Sequence, residues 1–283
     1  MRSTLRRAVV HGGLFLVTAA TTTAAGAAWA GVDPFASWTD FARGVPFSAA
    51  LLAILLCHEL GHYLFCLRHG VDATLPYFLP APPFVVPWGT FGAFIRVGGR
   101  FPDRRALFDM GAAGPWAGFV VALGVMILGL ELSHVDAAAP QSSVLVFGDS
   151  LLTGFLTRAV LGAEPDTVFI HPVGVAGWFG LLVTSLNLLP AGQLDGGHVL
   201  YAALGRRTPV ISGAIAAGLA ILGFRLWPGW LLWAAILAGM TRLGHPQTVD
   251  DGVPIGVGRL VAAALTLVML VITFVPEPIK ILP

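Results

Sequence analysis

Residues 57–66 read CHELGHYLFC, and they set His58, Glu59 and His62 inside a run that is otherwise as apolar as the middle of a membrane helix. On a helix, positions i and i+4 share a face, so both imidazoles can reach one ion. Two nitrogens at that spacing suit Zn2+, which in catalytic sites keeps three protein ligands and one water. Glu59 stands beside the first imidazole. It can take a proton from that water, whose pKa a zinc ion lowers toward about 7. The pattern alone can arise by chance. Its setting strengthens it, because ionisable residues at membrane depth are costly and usually functional. The bland alternative is a pair of histidines bonding neighbouring helices.

A third ligand is needed. Residues 187–204 read NLLPAGQLDGGHVLYAAL. Asp195 follows a Pro190 break at the end of an apolar stretch and precedes Gly196 and Gly197, which let the backbone turn tightly. A carboxylate presented at a helix break at membrane depth is a candidate third ligand; a plain Asp-Gly-Gly turn at the interface is the alternative. Asn187 either donates to a substrate carbonyl or backbone, or bonds a neighbouring helix. His198 supports the ligands, donates in the transition state, or is a surface histidine.

These residues need elements to hold them. Of the 283 residues, 56% are hydrophobic and 11% charged, against about 45–50% and 25% in average soluble domains. That composition and the long apolar runs make the chain a multi-span membrane protein. A net charge of +1 suggests no nucleic-acid partner. Cys57 and Cys66 are expected as small packing residues rather than a disulfide. Apolar segments span 8–30, 46–68, 107–131, 173–189, 209–227, 229–243 and 258–275. The fourth and sixth are short for a bilayer that needs about 20 helical residues. The stretch 150–160, with Arg158 near its end, reads as an interfacial amphipathic helix. Residues 8–30 follow Arg2, Arg6 and Arg7 and end Ala28-Trp29-Ala30, so a retained first helix competes with a cleaved signal; the length of the run favours the helix.

Threading seven spans from a cytoplasmic N-terminus puts Arg2, Arg6, Arg7, Arg68, Arg96, Arg100, Arg104, Arg105, Arg206, Arg207, Arg242 and Arg259 on the cytoplasmic side. Arg43, Arg158, Arg225 and Lys280 fall on the other, with most acids, including Asp136. That is the bias that membrane insertion imposes. Residues 75–106 break the pattern. Prolines at 76, 80, 82, 83 and 87 exclude a helix, yet the stretch is mostly apolar. We expect a re-entrant, partly extended segment over TFGAFIRVGG, with a strand at 91–99. Its edge, at Phe91, Gly92 and Phe94, offers an extended peptide a partner. The alternative is a greasy loop. Gly111, Gly114 and Gly118 read as close helix packing without chemistry. The expected fold is an all-α polytopic membrane protein with about six to seven transmembrane helices and a membrane-associated β-like loop. It forms one membrane-embedded domain over 1–283, with a core at about 46–205, an N-terminal helix at 8–30 and C-terminal helices within 209–275.

HELGH and NLLPAGQLDGG together resemble the two signatures of the site-2 protease family, zinc metalloproteases that cut peptide bonds within the membrane. The second matches that family's Asn-x-x-Pro-x-x-x-x-Asp-Gly pattern at Asn187, Pro190, Asp195 and Gly196. The resemblance implies one Zn2+ per chain on His58, His62 and Asp195, with Glu59 as general base and acid and Asn187 helping to hold substrate. Residues 89–118 resemble a subgroup with bacterial and plastid members, and imply that the strand segment pairs with substrate. The span 132–172 is too short for the PDZ domain that some members carry, and no nucleotide-sensing CBS module follows the last span, so a compact type is expected. The implied partners are the lipid bilayer and a membrane protein or peptide with a transmembrane segment. An Ala/Gly/Arg-rich composition points to a bacterial cytoplasmic membrane.

Two rivals use the same residues. A membrane di-iron oxygenase or desaturase needs about eight convergent histidines. The chain has eight, at 11, 58, 62, 69, 134, 171, 198 and 245, but only His58 and His62 are closely paired. A metal transporter calls for internal repeats, and span lengths and motif positions do not mirror one another.

Overall fold

The computed structural model describes residues 2–135, 145–243 and 248–281; Asp136 and His245 lie outside them. Helices α1 (Arg2–Trp29), α2 (Trp38–Ala42) and α3 (Val45–Arg68) lead into a hairpin of β1 (Tyr77–Pro80) and β2 (Thr90–Phe94). Next come α4 (Arg104–Glu131), β3 (His134–Val135), β4 (Leu145–Phe147), α5 (Leu151–Leu161) and β5 (Val168–Phe169). The chain continues through α6 (Pro172–Asn187), α7 (Asp195–Leu204), α8 (Thr208–Arg225), α9 (Gly229–Leu243), α10 (Val257–Thr273) and β6 (Ile279–Ile281). The seven expected apolar segments fall on α1, α3, α4, α6, α8, α9 and α10, and the stretch expected to be interfacial forms the helix α5. Four helical stretches are long and apolar enough to cross a membrane unaided: Ala8–Trp29, Trp38–Arg68, Arg104–Glu131 and Thr208–Arg225. The chain is a polytopic helical membrane protein. Both cysteines are free.

Local chemistry fixes the ends of these elements. Asp103 caps α4, its carboxylate accepting from the Ala106 amide at 2.8 Å, so the helix begins three residues before the apolar run. Ser150 and Thr153 form a reciprocal capping box on α5, which stops at Gly162 with φ 63°.

Helix α4 is the central post. A side chain at Gly61 of α3 would sit 2.6 Å from the Ala113 carbonyl, so the two backbones touch. On another side α6 runs antiparallel to α4: Gly174 meets Gly129, Gly177 meets Met126 and Gly180 meets Ala122. After a turn at 188–194, α7 continues in the same direction, with Asp195 and Val199 against Gly111 and Gly205 near Arg104. The short fourth segment is thus the first half of a broken helical passage along α4, interrupted just before Asp195. Such breaks are tolerated in a bilayer only where protein surrounds them.

The hairpin runs back along α1. His11 Nδ1 donates to the Pro76 carbonyl (3.1 Å), Thr21 Oγ1 to Gly89 (2.7 Å) and Trp29 Nε1 to Pro87 (2.9 Å). From residue 11 to 29 a helix rises about 27 Å, nearly the hydrocarbon thickness of about 30 Å. The loop therefore enters beside one end of α1, turns near the other and returns, as expected of a re-entrant segment. The strand is shorter than expected, ending at Phe94 rather than 99. Tyr77 pairs with Phe94; one residue on, Pro76 turns its carbonyl to His11 and Ile95 its amide to Glu59, so neither bonds the other. Pairing resumes only as an isolated bridge between Ala73 and Val97.

Contacts between loops fall into two groups. At one end, Val249 and Asp250 donate to the carbonyls of Phe101 and Pro102, each at 2.9 Å. At the other, β3 pairs with β5 and β4 with β6, while Trp178 and Trp230 donate to Gly148 (2.8 Å) and Pro276 (2.7 Å).

Candidate metal centre

Helix α3 carries His58, Glu59 and His62, all buried although polar. About three turns of helix separate His58 from the end of α3 at Arg68, so the group lies at depth. Asp195 meets it from the first turn of α7. The turn before Asp195 leaves no room for side chains: Gly192 has φ 59°, and side chains at Gly196 and Gly197 would run into the carbonyls of Leu188 and Gly192. The glycines after Asp195 are thus required by close packing.

Three donor atoms converge. His58 Nε2 lies 3.2 Å from Asp195 Oδ2, His62 Nε2 lies 3.3 Å from the same oxygen, and the two Nε2 atoms are 3.1 Å apart. Bonds of about 2.0–2.1 Å around tetrahedral zinc give ligand separations of about 3.3–3.4 Å. The triangle therefore has the right size for one zinc ion on three protein ligands. The tautomer fits as well. His62 Nδ1 is 2.8 Å from the Met110 carbonyl of α4 and must donate its proton there, which leaves Nε2 as a lone-pair donor facing the centre. Among the described residues, His58, His62 and Asp195 form the one group of such side chains close enough to share an ion.

Helix α4 makes room for the imidazoles. A side chain at Gly114 would overlap the His62 ring, and one at Gly118 would stand 3.1 Å from His58 Nδ1. The glycine stripe does pack closely, as expected: Gly111 against α7, and Gly114 and Gly118 against the rings of His62 and His58.

Other expected site residues fall around this triangle. Asn187 Nδ2 approaches His58 Nε2 at 3.4 Å, so it borders the centre. The Ile95 amide, just past β2, faces the Glu59 carboxylate and brings the hairpin up to that side chain. Phe91 and Phe94 project from β2 and are exposed, while Gly92, at φ 100°, has open space where a side chain would be. His198 lies against Gly111, one turn past Asp195. Sequence reasoning missed Met110 and Ile95, which act through main-chain atoms and carry no residue-type signal. The four-residue step from Gly114 to Gly118 marks a helix face, but not its occupant.

The remaining described histidines do not join the group. His11 bonds Pro76, His69 bonds Asp109, His134 stacks on Phe169, and His171 caps α6. No second iron site is assembled among the described residues.

Comparison with known proteins agrees with this geometry. Residues 46–224 match the model of peptidase family M50. The chain is 35% identical over 241 residues to a probable zinc metalloprotease, EGY1, chloroplastic, of Arabidopsis thaliana, covering 82% of this chain and 43% of that protein. It is 34% identical over 238 residues to the protein of the same name in Oryza sativa subsp. japonica, covering 82% and 40%. With the probable zinc metalloprotease EGY2, chloroplastic, of Arabidopsis thaliana the figures are 31% over 237 residues, 80% and 42%. The chain thus spans less than half the length of these relatives. No solved structure matches it.

Proposed function

Because the chain belongs to peptidase family M50, we propose that it is an intramembrane zinc endopeptidase that cuts transmembrane segments of membrane proteins. The observation that carries this is the 3.1–3.3 Å triangle of His58, His62 and Asp195, buried beside a carboxylate that takes no part in it. His58, His62 and Asp195 would hold the ion. When bound, zinc supplies the Lewis acidity that acidifies water and polarises the scissile carbonyl. Glu59, next to His58 in sequence, takes the proton from the attacking water and returns it to the leaving amine. Burial keeps bulk water from competing for that proton. Met110 holds His62 in the tautomer that turns Nε2 inward. Asn187 binds the substrate backbone near His58, and His198 steadies the first turn of α7 behind Asp195.

Substrate reaches the centre as an extended strand. The unpaired edge of β2, at Phe91, Gly92 and Phe94, takes up backbone groups that a cleavable peptide exposes once its helix unwinds. Ile95 continues that edge to Glu59. The Arg-rich end of the molecule faces the cytoplasm, with the N-terminus on the same side. The Ala/Gly/Arg-rich composition supports a bacterial cytoplasmic membrane, whereas the named relatives are chloroplastic.

Metal analysis of the detergent-purified chain tests this reading without knowledge of the substrate. We expect about one zinc per chain, weakened or lost in Asp195→Ala. Two irons per chain would replace the protease by an oxygenase. Given zinc, Glu59→Gln should retain the metal and the fold but abolish cleavage of a transmembrane test substrate. Cleavage persisting in that variant would remove Glu59 from its role.

A further inference from the structure

Helix α10 lies beyond the residues matched by the family model, 46–224, yet it is bonded to the post that supports the metal centre. Arg259 grips Asp109 of α4 with a two-pronged bond, Nε to Oδ1 and Nη2 to Oδ2, each 2.7 Å. His69, which closes α3, reaches the same carboxylate from the other side, Nε2 to Oδ2 at 2.9 Å. Seven residues further along both helices, Trp116 Nε1 donates to Thr266 Oγ1 at 3.0 Å. The equal steps show that α4 and α10 run parallel.

The two faces of α4 have different tasks. At about 100° per residue, Asp109 and Trp116 share one face, and Gly111, Gly114 and Gly118 lie roughly opposite. The glycine face receives the imidazoles, and the other face receives α10. Asp109 immediately precedes Met110, whose carbonyl fixes His62 at 2.8 Å. A guanidinium fork on a half-buried carboxylate is the most directional side-chain bond available, and its geometry is not reproduced by a neutral group.

We infer that Arg259 is a positioning residue for the metal centre: by clamping Asp109 against the end of α3, it fixes the α4 turn whose Met110 carbonyl orients His62. The inference rests on the metal-centre reading above. The clamp sets the distance between α3 and α4 at the turn where a small rotation would carry the Met110 carbonyl away from Nδ1. The last helix thereby becomes part of the support of an ion it does not touch.

Zinc affinity of the full chain in detergent, measured by competition with a chromophoric chelator, tests this, with the absorption bands of the Co2+-loaded protein as a second readout. Arg259→Gln should weaken affinity about tenfold or more, as loss of supporting partners does at metal sites, and shift the cobalt bands. Trp116→Phe removes the second bond between α4 and α10, and should keep wild-type affinity and bands. Should Arg259→Gln fail to fold, Asp109→Asn replaces it with the same expectation. Affinity within about twofold of wild type in the folded variant overturns the inference. So does a Trp116→Phe loss as large as that of Arg259→Gln, which would reduce the clamp to ordinary helix docking. A wild-type chain that holds no zinc would instead overturn the metal-centre reading.

Discussion

At the scale of single residues, the centre depends on what is absent as much as on what is present. His58 and His62 fit because α4 offers no Cβ where their rings lie. Gly114→Ala would place a methyl group inside the His62 ring, so the ring must swing away and give up its bond to Met110. We expect zinc affinity to fall about 10–100-fold, the usual cost of losing a ligand's supporting partner. Gly124→Ala is the control, since nothing lies within 4 Å of its added carbon, and it should bind zinc like the wild type. Equal affinities in a chelator competition would show that the ring relaxes without cost. The three side chains that converge were legible in the sequence. Two imidazoles one turn apart beside a carboxylate stand out in an apolar run because such groups are costly there, and Asp195 was marked by the proline and glycines around it. The supports were not legible. Met110 and Ile95 contribute a carbonyl and an amide, which nearly every residue has, and a glycine reports closeness without naming the neighbour.

At the scale of elements, the hairpin is the piece on which the proposed substrate recognition turns. Its prolines ruled out a helix, and its apolar character placed it against lipid or protein. Its depth could not be read from sequence, because it is set by contacts 58–68 residues away in α1. Those contacts place the turn at 82–87 level with Trp29, near the far end of α1. Phe84, at that turn, is exposed. In a chain with Cys57 and Cys66 replaced by alanine, Phe84→Cys should react with a membrane-impermeant thiol reagent added on the side opposite the Arg-rich end. Labelling only from the Arg-rich side would mean that the loop never crosses, and that it is the greasy surface loop the sequence also allowed. The strand boundary was misjudged for a related reason. Apolar and small residues continue to Gly99, but Pro76 and Ile95 turn to α1 and Glu59, and the register slips by one before the Ala73–Val97 bridge.

At the scale of the whole molecule, the arrangement is legible from charge but explained by the break between α6 and α7. Arginine placement is consistent with a threading of seven apolar segments, although α6 has 16 residues and α7 only 10, neither enough for about 30 Å. Joined end to end along α4, they make one passage with Asp195, the proposed third ligand, at the interruption. The same device presents ion ligands in many transport proteins: a broken helix frees backbone and a carboxylate at depth without exposing either to lipid. If that passage is counted once, the 69–103 and 248–256 loops share one side and 145–171 lies on the other, which matches the two groups of loop contacts. Asp166 precedes the broken passage and Arg207 follows it, and both are exposed in the wild type. Asp166→Cys and Arg207→Cys, in the cysteine-free chain, should then be labelled from opposite sides, and Asp166→Cys from the same side as Phe84→Cys. Labelling of both from one side would require an even number of passages between them. The α6–α7 pair would then be a hairpin that turns back at the break, and Asp195 could not lie on a continuous path alongside α4 toward the Arg-rich end.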